Sequence, residues 1–106
     1  MEVKKITSIN ELDKAVGNHI TLMDFGAPWC APCRLQEPII HRLAARFQGR
    51  VLIAATNVDE SIDLASNLGI RNIPTLIIFK NGKELQRFVG LQSEAMLFGV
   101  LKGLLG

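Results

Sequence analysis

The chain predicts an α/β fold in which a mixed sheet is covered by helices on both faces, and three observations lead there. Apolar stretches short enough for strands alternate with stretches whose apolar residues recur every three to four positions. One of the strand stretches, residues 20–25, is apolar almost throughout, as in a strand covered on both sides. Asn81-Gly82 directly follows the fourth strand stretch, and this dipeptide turns the chain back as an antiparallel hairpin, so the sheet cannot be purely parallel.

Residues 3–6 form a short first strand. Ser8-Ile9-Asn10-Glu11 then reads as a capping box, with the Ser8 hydroxyl accepting from first-turn N–H groups and Glu11 reaching back. The helix it opens carries Ile9, Leu12 and Val16 on one face and stops at Gly17 and Asn18. In the second strand, residues 20–25, only Thr21 and Asp24 interrupt the apolar run, and Asp24 is its one ionisable group.

Leu35, Ile39, Ile40, Leu43, Ala44 and Phe47 next recur at helical spacing, with Arg34, Glu37, His41, Arg42 and Arg46 on the other side. Pro38 lies inside this amphipathic helix, removes a backbone donor and predicts a kink near the Arg34 carbonyl. Gly49 closes the segment. Residues 51–58 follow as a third strand, residues 61–68 as a short helix with Gly69 behind it, and residues 75–80 as the fourth strand. The hairpin returns as residues 84–89, and Ser93 caps a last helix carrying Leu97, Val100, Leu101 and Leu104. Met96, Phe98 and Leu105 fall partly off its apolar face and are read as additional core in preference to a contact surface.

At 106 residues, 48% hydrophobic and 21% charged, the chain is expected to be a single globular domain over residues 1–106. A formal charge of +2, spread along the sequence, gives no basic stripe for nucleic acid. Met1-Glu2-Val3-Lys4-Lys5 leads into no apolar run of the secretory kind, which points to the cytoplasm. The most apolar stretch, residues 95–101, is followed by Lys102 and falls far short of the roughly 20 residues of a membrane span. Gly99 and Gly103 therefore read as part of a packed terminal helix, not a membrane pairing motif.

All the cysteine of the chain lies in Trp29-Cys30-Ala31-Pro32-Cys33, at the junction between the second strand and the helix after it. A disulfide across so short a loop removes little chain entropy, so structural stapling is a poor reason for the pair. Redox chemistry, metal binding and coincidence remain. Zinc needs about four ligands, but His19 precedes its strand and His41 lies on the polar helix face, so neither completes a site with the cysteines and no metal is expected. For redox work the placement is apt. The first N–H groups of a helix lack intrahelical partners and favour a thiolate at Cys30. Pro32 needs no donor in the first turn and stiffens the link between the sulfurs. Cys33, one turn further in, is expected to be the more buried and Cys30 the more exposed. In its apolar strand, Asp24 is expected to hold its proton to near neutral pH.

Four blocks, Met23-Asp24-Phe25 through Trp29-Cys30-Ala31-Pro32-Cys33-Arg34, Asn57-Val58-Asp59, residues 69–76 around Ile73-Pro74-Thr75, and Phe79-Lys80-Asn81-Gly82 with Val89-Gly90, share their order and separation with one family. On these residues the chain resembles the thioredoxin family, with its Trp-Cys-x-Pro-Cys active site, across nearly its whole length. The resemblance implies a five-stranded mixed β-sheet flanked by four helices, and a general protein-disulfide reductase with Cys30 as attacking and Cys33 as resolving thiol. It further implies that Asp24 serves the proton of Cys33, that Pro74 is a cis-proline facing the cysteines, and that Trp29, Ala31, Pro32, Ile73, Pro74 and Gly90 form the substrate surface. No cofactor is implied beyond the dithiol itself. The implied partners are disulfide-containing proteins and a flavoprotein thioredoxin reductase that supplies electrons, with the chain acting as a cytoplasmic monomer in electron transport and cell redox homeostasis. Two other readings stand beside it: an oxidase or isomerase relative, and a binding or assembly module whose thiols are incidental.

The chain departs from the common family pattern at four places. Ala31 replaces a glycine, Gly26 a tryptophan and Pro28 a polar residue. Ala55 stands where a lysine often pairs with the buried aspartate, so Asp24 is expected to be harder to ionise than in lysine-containing relatives. Partner choice is where the altered rim of the site is expected to tell.

Overall fold

The computed structural model describes residues 3–106, and Met1 and Glu2 of the stretch read above for a leader lie outside them. Its elements in chain order are β1 (Lys4–Lys5), α1 (Ile9–Val16), β2 (Ile20–Gly26), α2 (Ala31–Arg46), β3 (Val51–Asn57), α3 (Ile62–Asn67), β4 (Thr75–Lys80), β5 (Lys83–Val89) and α4 (Glu94–Leu105). The strands lie in the order β1-β3-β2-β4-β5, with β1, β3 and β2 parallel and β4 and β5 each antiparallel to the strand before it in that order. This is the five-stranded mixed sheet with four helices that the resemblance implied.

Strand parity divides the core into two layers, because alternate residues point to opposite faces. Ile20 and Leu22 of β2, Val51 and Ile53 of β3, and Leu76 and Ile78 of β4 meet Ile40, Leu43, Leu97 and Leu101 of α2 and α4. Met23, Phe25, Ala54, Ile77 and Phe79 point the other way and meet Leu12, Val16 and Leu64 of α1 and α3. The same parity sets Asp24 on the α2 side of the sheet, directly beside Ala55 of β3.

Local chemistry fixes the element ends. Ser8 Oγ accepts from the Glu11 N–H at 3.1 Å, as a cap does, but the Glu11 carboxylate reaches one residue further back than the box requires. It accepts from the Thr7 N–H at 3.0 Å and the Thr7 hydroxyl at 2.7 Å, and more distantly from the Ser8 hydroxyl at 3.5 Å. Asn81 and Gly82 both take positive φ, 54° and 80°, as the hairpin reading required. Ser93 Oγ accepts from the Met96 N–H at 3.2 Å and opens α4.

The phase of α2 corrects the sequence reading at one position. Leu35, assigned above to the apolar face, is 63% exposed, and its neighbour Gln36 is fully buried. Cys33 faces inward, and the stripe that follows it at helical spacing is Gln36, Ile40, Leu43, Ala44 and Phe47, which leaves Leu35 on the far side. The Gln36 amide is matched at both ends by the backbone of Gln92: Nε2 donates to its carbonyl at 3.0 Å and Oε1 accepts from its N–H at 2.8 Å. On α4, Met96 and Phe98 join the core as expected, Phe98 packing 5.2 Å from the Phe47 ring beneath the Arg46 guanidinium. Leu105 stays exposed.

Candidate active site

β2 ends at Gly26, and four residues later the chain enters α2, so the cysteines sit where a central strand gives way to a helix. Cys30 is the N-cap of α2, with extended backbone, and is bonded to Cys33 as a disulfide whose Cα atoms are 5.2 Å apart. The Cys33 N–H donates to Cys30 Sγ at 3.3 Å. A helix N-terminus therefore faces the sulfur of Cys30, the arrangement that stabilises a thiolate there. Ala31 and Pro32 occupy the first two helical positions, where an absent N–H goes unmissed, and both are exposed at the rim.

The unequal exposure expected of the two sulfurs is absent, since Cys30 is 6% and Cys33 7% exposed. Both pack with Ala27 in a small apolar cluster closed by Val58 and Ile73, and the disulfide holds them together. What distinguishes them is bonding: Cys30 Sγ receives the helix N–H, and it lies 3.8 Å from the Ile73 carbonyl oxygen.

The segment facing the cysteines carries the Ile73–Pro74 bond in cis, as the resemblance implied for Pro74. Ile73 is half-buried, Pro74 is buried, and the Pro74 carbonyl accepts from the Gly90 N–H at 2.7 Å. Gly90 has φ of 93°, a backbone that side-chain-bearing residues rarely adopt, with open space where a Cβ would stand. Trp29 is 66% exposed beside Cys30, so it is not core; its indole Nε1–H donates to Asp59 Oδ2 at 2.8 Å. Asp59 was assigned no role from the sequence. The signal available was its place in the family-resembling block Asn57-Val58-Asp59, where the Asn57 side chain in turn accepts from the Asp59 N–H at 3.0 Å.

Asp24 lies behind the disulfide. Its Oδ1 is buried without a hydrogen-bond partner, and burial, with the nearby negative charge of Glu37 as a lesser cause, pushes its carboxyl up to about 7. A cleft of about 560 Å³ opens from solvent to Asp24 and Cys33, bounded by Gly26, Pro28 and Ala55 and by Glu37 and His41 of α2. Glu37 is the second residue of the site that sequence reading missed; it was placed only on a polar helix face, and its relation to Asp24 needs the helix phase and the strand register together. Among the described residues no group of three or more His, Cys, Asp and Glu side chains gathers as a metal site, and no helix is long and apolar enough to cross a membrane.

The comparisons agree with this geometry. The family model Thioredoxin matches residues 3–102. The thioredoxin of Chlorobaculum thiosulfatiphilum is 43% identical over 91 residues, 86% of this chain and 80% of that one, and thioredoxin 1 of Nostoc sp. is 41% identical over 76% of each chain. A Staphylococcus aureus thioredoxin is 37% identical over 95% of this chain and 96% of its own. Among solved structures, Malassezia sympodialis thioredoxin superposes with a TM-score of 0.88 at 27% identity, covering 99% of this chain and 92% of that one. A mutant thioredoxin from Halobacterium salinarum gives the same TM-score at 37% identity, over 96% and 89%. With a redox-capable cysteine pair at the family's position and the family's fold around it, the chain belongs to the thioredoxin family of thiol–disulfide oxidoreductases.

Proposed function

We propose that the chain, a single domain working as a cytoplasmic monomer, reduces disulfides of many proteins and is itself re-reduced by a flavoprotein thioredoxin reductase. One observation supports this above the others: the Cys30–Cys33 disulfide caps α2, with the Cys33 N–H on Cys30 Sγ. In the reduced protein the Cys30 thiolate attacks one sulfur of a substrate disulfide, and the other substrate sulfur leaves as a thiolate. Cys33 then gives its proton to the Asp24 carboxylate and attacks Cys30 Sγ. The Cys30–substrate bond breaks, the second substrate sulfur departs as a thiolate that takes its proton from solvent, and the Cys30–Cys33 disulfide remains. In the return direction Asp24 hands the proton back as the reductase dithiol opens that disulfide. No further cofactor is required, because the two electrons are held by the sulfurs.

Trp29, Ala31, Pro32, Ile73, Pro74 and Gly90 form the docking surface in this reading. Trp29, Ala31 and Pro32 are exposed and Ile73 and Gly90 half-buried around the disulfide, with Pro74 buried beneath them, a surface that suits an extended peptide pairing in strand fashion beside Pro74. Insulin-disulfide reduction tests the proposal, driven by NADPH with a thioredoxin reductase or by dithiothreitol. Turnover is expected with both, and the Cys30→Ser, Cys33→Ser double variant is expected to abolish it. Inactivity of the wild-type protein with either electron source would overturn the reading.

A further inference from the structure

The cleft behind the disulfide has two walls of different character. On the sheet side, Ala55 stands in register beside Asp24, with only a methyl group to offer the carboxyl. Gly26 completes that wall against the resolving sulfur: a Cβ there would lie 3.3 Å from both Cβ and Sγ of Cys33 and 4.0 Å from Asp24 Oδ1. On the helix side, α2 presents Cys33, Glu37 and His41, four residues apart and therefore stacked along one face. That row runs from the buried dithiol outward to exposed Glu37 and His41, and the space in front of it is large enough for several water molecules.

Of the other charges around the cleft, Lys5, Glu60 and Arg34 have partners of their own, and Lys4 stands on β1, separated by β3 from the strand that carries Asp24. From β1 come Lys4 and Lys5, and Lys5 pairs with Glu60 of the segment after β3 at 3.1 Å. Arg34 of α2 turns its guanidinium to the Pro28 carbonyl at 2.9 Å. Glu37 has no ion-pair partner among the described residues, so its negative charge is left to act on the carboxyl across the cleft.

We propose that Glu37 is a positioning residue of the reaction, acting through Asp24 to set the acidity at which the Cys33 thiol is activated for the resolving step. A negative charge facing a buried, unpartnered carboxyl opposes its ionisation, and the cleft supplies the path by which that carboxyl exchanges its proton with solvent. The shift of Asp24 has burial as its larger cause and Glu37 as its second, in keeping with a residue that adjusts the site without creating it. The proposal rests on the role given above to Asp24, and the test separates the two.

Two readings are taken side by side: carbon-13 NMR titration of the Asp24 carboxyl, and the pH profile of thionitrobenzoate release from its mixed disulfide with Cys30, which reports the resolving step. Glu37→Gln is expected to lower the Asp24 midpoint by about 0.5 pH unit, the size of one charge acting across solvent. The acidic limb of the release profile is expected to move down with it. Glu37→Lys is expected to move both further, with the effect shrinking at high salt. Glu60→Gln, whose carboxylate already faces Lys5, is expected to move neither. A wild-type Asp24 midpoint near that of an ordinary aspartate would overturn the role of Asp24 itself. A raised midpoint that both Glu37 variants leave in place would overturn Glu37 alone, and so would a midpoint that moves while the release profile stays fixed.

Discussion

A carboxyl buried among apolar side chains holds its proton more tightly than it does in the unfolded chain, so Asp24 makes the stability of the protein depend on pH. The folded value of about 7 lies above the ordinary 3.8, so the folded state binds the extra proton between these two values. Below about pH 4 the group is neutral in both states and costs no ionisation energy. Between about pH 4 and pH 7 the unfolded chain releases the proton that the folded state keeps, so stability falls by on the order of 4 kcal/mol across that window and levels off above 7, where both states are ionised. Asp24→Asn is expected to flatten this dependence and to leave the protein more stable above pH 7, by somewhat less than that amount because the amide is buried too. Urea unfolding at pH 4.5 and pH 8 checks it, and a wild-type protein equally stable at both would contradict the burial argument. The weakened acidity of Asp24 was legible in the sequence, since one carboxylate in an apolar strand is visible as such. Glu37 was not, because its influence depends on which way α2 turns, and the misplaced Leu35 shows that the spacing alone left that phase one residue adrift.

At the scale of elements, the contact that fixes α2 against the segment leading to α4 is polar, with the Gln36 side chain fully buried and Gln92 half-buried. Gln36 uses its carbonyl and its amide on the backbone of Gln92, so that a side chain takes the place of a neighbouring strand for one residue. Arg42 and Arg46 add charge-assisted bonds to Glu94 at 2.6 and 3.2 Å, but these are exposed and worth little each. Gln36→Leu is expected to cost about 1 to 3 kcal/mol, because it removes two hydrogen bonds and leaves the N–H and carbonyl of half-buried Gln92 without their side-chain partner. Denaturant midpoints at constant slope would read it; a change below about 0.5 kcal/mol would mean that water replaces the amide. Most elements were legible from the sequence because each rests on a local signal: the Ser8 and Ser93 caps, the apolar run of β2, the two positive φ angles at Asn81 and Gly82. Gln36 was illegible for the opposite reason. Its partner lies 56 residues away, and a glutamine in a helix otherwise reads as solvent-facing.

Taken whole, the molecule keeps its stability and its reactivity in different places. The two main hydrophobic layers are built on either side of the sheet by residues that do not include either cysteine, and the cysteines belong to a third, small cluster with Ala27 at the end of β2. The disulfide spans a sequence separation of 3, so closing it restricts the unfolded chain only slightly. Chain-entropy arguments for a loop that short give about 2 kcal/mol. Opening the bond therefore removes a small part of what holds the fold together, which a catalyst that opens and closes it in every cycle requires. Oxidised and reduced protein are expected to differ in unfolding free energy by no more than about 2 kcal/mol, with the reduced form fully folded at 25 °C. Urea titrations with and without dithiothreitol measure the difference directly. A reduced protein that unfolds on loss of the bond would show that the small cluster around Cys30 and Cys33 is a structural keystone, and would set the pair back among the stapling disulfides that its spacing argues against.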